Sequence, residues 1–361
     1  MATSRFIQPS ILENFSASVL ERVGIPVEQA RIAARILIWA SLNGIDSHGI
    51  RNLKPMYVDP LVSGKIKKEA EFKIIYETPI SAVVDGDSGL GLAAADWGMR
   101  LAIEKAKKSG LCFVSMRNSH HFGAAGYYSM LAVAEDMIGL SMSGYFFAEG
   151  SEYGVLPTFG IKPMLSTNPM SIAFPTMEEP PFLLDMATSI VPYNRVLMMK
   201  EAGQPVPDGW GLDSDGKPTQ DSSKLRQLFP LGGTRVTGGH KGFGLGLVVE
   251  VLCAILSGGW LDTTQMSNFT EFNLYKQHND AHFFGAIRLD LFRHADEFKR
   301  DMDVLVNHIH AAPTEAGKEH VYYPGEIEYL TRKKREVEGI PVTDPVWSIL
   351  RDLSEKYKVP I

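Results

Sequence analysis

Cysteine is scarce in this chain: two residues among 361, Cys112 and Cys253. Each sits in an apolar run, so both read as buried thiols. Two cysteines without close spacing build neither a disulfide framework nor a cysteine zinc site. Positive charge is not in excess, with 36 Lys and Arg against 42 Asp and Glu and a net charge of -6 at pH 7. That balance argues against a dedicated nucleic-acid binder, which must neutralise phosphates with clustered cations. The one basic run, Arg332-Lys333-Lys334-Arg335, is followed by Glu336 and Glu338 and reads as a solvated surface. No apolar run reaches the length of a bilayer span. The longest candidate, Gly244 to Leu256, contains Glu250. The opening MATSRFIQPS lacks the charged-then-apolar plan of a secretory leader, so the chain is expected in the cytoplasm. Repeats and low-complexity tracts are absent as well.

What remains is an ordinary globular composition, 45% hydrophobic and 22% charged, in a chain long enough for two or three domains. The first segment has a helical period through Ile11, Leu12, Phe15, Val19 and Leu20. Ser10 and Glu13 are spaced as a capping box, and Gly24 is the stop. A second helix is expected from about Pro26 to Leu42, with Gly44 ending it. FKIIYE, ISAVVDG, LCFVSM, IGLSMS and MSIAFP read as strands. Between them, LAAADWGMRLAIEKAKKSG and the segment from Gly123 to Ala134 read as helices. Residues 150–235 are rich in Gly, Pro and Asp and read as loops and short strands around a site. Helices return from Asp296 to Ala311 and from Asp344 to Lys358. This alternation predicts an α/β to α+β fold with a mixed-sheet core and helical N- and C-terminal segments. The expected division is residues 1–75 with 295–361 as a mainly helical unit, and 76–294 as the sheet-containing unit.

Two short motifs carry the strongest chemical signal. Asp46-Ser47-His48-Gly49-Ile50-Arg51 and Asn118-Ser119-His120-His121-Phe122-Gly123 each place histidine beside glycine at an element boundary. Histidine exchanges protons near neutral pH, and a base working in both directions is expected to have a pKa close to the working pH. Arg51 offers a planar fork for a carboxylate. A proton carrier beside an anion clamp suits chemistry on a small organic acid. A single histidine in a loop is, however, more often structural.

Other motifs have plain alternatives. Gly86-Asp87-Ser88-Gly89-Leu90-Gly91 follows a strand and opens a helix, but its spacing is GxxGxG and no acidic strand end follows at the required distance. It is expected to be a tight turn. Gly238-Gly239-His240-Lys241-Gly242 lacks the Gly-Lys-Ser/Thr of a phosphate loop. Its glycines either pack closely or, with Lys241, approach an anionic ligand. Thr167 and Asn168, at a strand entrance, offer a hydroxyl and an amide to a ligand or form a turn. Asp185-Met186-Ala187 ends another strand, where ligands sit in α/β proteins. Asp280 and His282 are spaced to share a strand face, but no third ligand accompanies them, so no metal site is expected. His308 and His310 fall on different faces of a helix and read as surface or packing residues.

The order of these motifs is more informative than any one of them. DSHGIRN, VVDGDSGLG, NSHHFGAAGYY, TNPMSIAFP, DMATS, DGWGLDSDGKPT, PLGG, HKGFGLGLVVEVL, HFFGAI and YYPGE occur in one sequence, from about residue 10 to 350. Together they resemble the malate/L-lactate dehydrogenase family of the non-Rossmann type. That family also contains ureidoglycolate, sulfolactate, diketogulonate and cyclic imino-acid oxidoreductases.

The resemblance implies hydride transfer between NAD or NADP and a 2-hydroxy or 2-oxo acid, in a homodimer, on an unusual cofactor-binding fold. It implies proton transfer by His48 or His121, with His48 the first expectation because Arg51 lies beside it. It implies substrate contacts from Arg51, Thr167, Asn168 and Lys241. Cofactor contacts are implied for His121, Asp185, Met186, Ala187, Lys241, Gly242 and the late turn Pro324-Gly325-Glu326. The chain departs from the family pattern at Ser143-Gly144-Tyr145, at Ser166, and at Pro192-Tyr193-Asn194-Arg195. These departures lie near the implied substrate and cofactor regions. Two other readings are a metal-dependent hydrolase or lyase using His121, Asp280 and His282, and a silent binding protein on the same fold.

Overall fold

The computed structural model describes residues 4–146, 153–259 and 280–361. Its centre is a mixed seven-stranded sheet. From one edge the strands run Lys73–Thr78, Ser81–Asp85, Leu111–Ser119, Asp280–Arg288, Met137–Gly144, Met170–Phe174 and Phe182–Met186. Ser81–Asp85 and Leu111–Ser119 are parallel, and the other neighbouring pairs are antiparallel.

Asp280–Arg288 shows how the sequence covers both faces. Successive strand side chains point to opposite sides. Ala281 and Phe283 pack with Met142, Val249 and Cys253 below the sheet. Phe284 and Ala286 pack above it, in the main core with Met99, Met116 and Tyr128. That upper core is continuous with the N-terminal helices Pro9–Val23 and Val27–Leu42 and with Leu350 and Leu353 of the last helix. The chain ends are also joined by an antiparallel pair, Ser4–Ile7 with Ile340–Thr343. A smaller core gathers Val155, Leu165, Val196, Leu225 and Leu228.

Most elements lie where periodicity put them. The first helix does begin differently. Gln8 is its N-cap, with Pro9 next, and no side-chain cap bond forms. Proline at the first helical position has a preset φ and no N–H to satisfy, so Ser10 lies inside the helix and is not its cap. Both cysteines are buried and free, as expected.

Each glycine motif contains a position too crowded for a Cβ. In Gly86–Gly91, Asp87 and Ser88 adopt positive φ and the helix Gly91–Ser109 follows. A Cβ on Gly91 would stand 1.9 Å from the His120 carbonyl oxygen, so only glycine lets this helix meet the histidine loop. Farther along, a Cβ on Gly242 would stand 2.2 Å from the Leu231 carbonyl oxygen. Among the described residues no helix is long and apolar enough to cross a membrane.

Candidate active site

The loop after Val27–Leu42 and the loop after Leu111–Ser119 meet above the sheet. Their imidazoles, His48 and His121, stack with centroids 5.6 Å apart and planes 14° from parallel. Residues 73 apart in sequence thus form one pair (121 − 48). His121 Nδ1 lies 2.7 Å from the Tyr57 hydroxyl, while His48 Nδ1 lies 2.8 Å from the Ser47 hydroxyl. Tyr57 is fully buried on the short helical turn Leu53–Val58. It is the orienting group that the sequence did not reveal. Its partner is 64 residues away, and an interior tyrosine in KPMYVDP has the look of core.

The SHG loop is fixed from several sides. Asp46 accepts two bonds from the Arg335 guanidinium, at 2.6 and 2.9 Å. The Ser47 carbonyl accepts from Asn52 Nδ2 at 2.9 Å and from Asn194 Nδ2 at 2.6 Å. One of the departures from the family pattern therefore braces the histidine loop. Arg51 donates to Glu201 at 2.8 Å, and its side chain is only 15% exposed. Both Asn194 and Glu201 lie on the helix Tyr193–Glu201.

Below His121, Phe122 stacks on His282 at 4.6 Å, with planes 4° apart. His282 is buried, and both of its nitrogens are engaged: Nδ1 with Ser143 at 3.0 Å, Nε2 with Ser119 at 2.9 Å. It is a support for the loop. With His121 Nδ1 also engaged, His121, Asp280 and His282 do not form a metal cluster. Among the described residues the one group with metal-ligating geometry lies elsewhere.

Burial sets the charge states. It lowers His48 to a pKa of about 4 and His121 to about 3, with neighbouring histidines adding to the effect on His121. Both rings are therefore neutral well below the near-neutral pKa expected of a two-way proton carrier, because a charged imidazole in this recess loses hydration. Burial acts oppositely on carboxyls, raising Asp280 and Glu250 to about 7 and Asp185 to about 6. Burial, with the charge of Asp280 adding to it, holds the Tyr57 hydroxyl protonated.

The remaining sequence candidates fall in different places. Asn168 is buried and pinned: its Oδ1 accepts from Tyr145 N–H, and its Nδ2 donates to the Gly246 carbonyl and to Glu250. Its amide is spent on the wall. Thr167 gives its carbonyl to Thr188. Asp185 lies on the edge strand, accepting the Gly126 N–H at 2.8 Å; Met186 ends that strand and Ala187 follows it. Lys241 is exposed on the first turn of Gly239–Glu250. Pro324 accepts the Leu183 N–H, which ties its turn to the same edge strand. The Glu326 carboxylate is already engaged by His310 and His320.

A pair of oriented imidazoles on a mixed α/β scaffold, with Arg51 three residues beyond His48, is a candidate acid–base site. The sequence model for malate/L-lactate dehydrogenase matches residues 7–351, and the chain belongs to that family. It is 40% identical to malate dehydrogenase of Pyrococcus abyssi over 353 residues, covering 96% of this chain and 94% of the relative. It is 35% identical to L-sulfolactate dehydrogenase of Methanocaldococcus jannaschii, covering 98% of both. The crystal structure of malate dehydrogenase from Entamoeba histolytica superposes with a TM-score of 0.90 at 34% identity, covering 99% of both chains. The chain is thus an oxidoreductase, a dehydrogenase of 2-hydroxy acids.

Proposed function

We propose that this dehydrogenase interconverts a small 2-hydroxy acid and its 2-oxo acid with NAD or NADP, with malate as the first substrate to test. The observation that carries the reading is the His48–His121 stack, anchored by Tyr57, with Arg51 on the same loop as His48. The identity to malate dehydrogenase of P. abyssi supports a dicarboxylate such as malate.

The residues present fit a nicotinamide cofactor. A cavity of about 310 Å³ is lined by Gly233, Thr234, Arg235, Gly239 and His240, offering a glycine-lined wall and the Arg235 cation to a pyrophosphate. The His240 Nδ1 is buried without a hydrogen-bond partner. The edge-strand end Asp185-Met186-Ala187, the helix start Lys241-Gly242, and the backbone of Pro324-Gly325-Glu326 complete the proposed contacts. When bound, the cofactor accepts or supplies a hydride at substrate C2.

The chain supplies the rest. Arg51 spends one N–H on Glu201, and its remaining donors hold the substrate carboxylate. Alcohol oxidation needs a lone pair on the imidazole that receives the hydroxyl proton. With Nδ1–H directed at the Tyr57 oxygen, His121 presents that lone pair at Nε2. This is the arrangement of a base oriented by a third group. His48, held by its own neighbour Ser47 and stacked on His121, positions the substrate. We therefore assign proton transfer to His121 and not, as sequence proximity to Arg51 indicated, to His48.

The test is a melting experiment followed by turnover. NADH or NADPH in excess should raise the Tm, since a ligand at 100 times its Kd adds about 2.7 kcal/mol to the native state. Malate and related hydroxy acids should then reduce the preferred oxidised cofactor. No shift with either cofactor and no turnover across the panel would contradict the proposal.

A further inference from the structure

A second polar cluster lies where the C-terminal helices converge. His310 ends the helix Ala295–His310, and Glu326 opens the helix Glu326–Glu338. His320 comes from the connection between them. His310 Nε2 lies 3.1 Å from one Glu326 oxygen, and His320 Nε2 lies 2.9 Å from the other. The two rings are 4.4 Å apart, and all three ligating atoms lie within 4.8 Å of one another.

One carboxylate faces the Nε2 atoms of two imidazoles. A divalent cation replaces both hydrogen bonds with one centre. Each neutral imidazole then gives an Nε2 lone pair, and the carboxylate gives an oxygen. Metal–ligand bonds of about 2.0–2.2 Å in a tetrahedral site put ligand atoms about 3.3–3.6 Å apart, so the close N···O pairs open slightly and the wider pairs close by side-chain rotation. Glu326 is buried, while the His320 side chain is one-third exposed, so an ion has a route in. The Glu326 carboxylate is also pre-oriented by the Tyr323 N–H at 3.2 Å.

We propose that His310, His320 and Glu326 bind one transition-metal ion of the zinc class. Imidazole donors select Zn²⁺, Co²⁺ or Ni²⁺ over Mg²⁺ and Ca²⁺, which prefer all-oxygen sites. Three protein ligands leave a position for water. The ion clamps the 310–326 connection to the turn whose Pro324 carbonyl holds Leu183 of the edge strand.

The experiment uses the whole chain, stripped with a chelator and titrated with Co²⁺ as a spectroscopic probe, then with Zn²⁺ by calorimetry and melting. The expected result is one Co²⁺ per chain with a ligand-field spectrum, displacement by Zn²⁺, no binding of Mg²⁺, and a Tm that rises with Zn²⁺ concentration. His320→Ala should weaken Zn²⁺ at least about 100-fold, more than the 10–100-fold typical of losing an outer-shell partner. His308→Ala, two residues from His310 and exposed, should leave affinity unchanged. Glu326→Gln keeps the side-chain volume and serves if the alanine variant fails to fold. Absence of a Co²⁺ spectrum, or equal affinity in the original chain and in a folded ligand variant, would overturn the site.

Discussion

His121→Asn is expected to lower kcat by about 10²–10⁴-fold, the range that positioned acid–base groups contribute. His48→Asn should act mainly on KM. The asymmetry follows from what each ring is tied to: His121 to buried Tyr57, His48 to adjacent Ser47. The pH profile gives an independent reading. A base works only while unprotonated, so its activity is lost as pH falls through its pKa. With His121 lowered to about 3 and His48 to about 4, kcat/KM for alcohol oxidation should show no loss at the pH of an ordinary histidine, about 6.5. An acid limb near that value, present in the original enzyme and abolished by His121→Asn, would show that the recess does not keep the ring neutral. A His121 variant with normal kcat beside a dead His48 variant would reverse the two roles.

Arg51→Lys should lower kcat/KM by about 10- to 100-fold, because hydrogen bonds to charged groups contribute about 1.5–3 kcal/mol. Lysine keeps the charge but loses the planar fork that can bond Glu201 and a substrate carboxylate together. The Tm shift produced by the cofactor alone should persist in this variant. If cofactor binding falls in step with kcat/KM, Arg51 belongs to the cofactor site or to the fold, and the clamp is wrong.

Local pattern made much of the scaffold legible. Gly24 and Gly44 end the first two helices at positive φ, and the β-branched runs became strands of the central sheet. The histidine motifs were legible as chemistry because each placed a titratable ring at a loop. What holds them was not. Arg335, read as part of a solvated basic run, sits on the helix Glu326–Glu338 and grips Asp46. That helix is mostly charged, and nothing in its local pattern tells which of its cations turns inward. Tyr57, Asn194 and Glu201 reach the site from distant segments, and no spacing rule connects residues 64, 147 or 150 positions apart. Charge state was misjudged for the same reason, since a histidine's pKa depends on burial supplied by chain that is remote in sequence. Likewise His310 was legible as a helix residue, whereas its pairing with His320 and Glu326 depends on how the following connection turns back.

Direct hydride transfer from substrate C2 to the nicotinamide is tested by oxidising C2-deuterated malate in ordinary water and examining the reduced cofactor by mass spectrometry. One deuterium in each reduced nicotinamide and none released to solvent are expected. Deuterium appearing in the water, with unlabelled reduced cofactor, would contradict direct transfer.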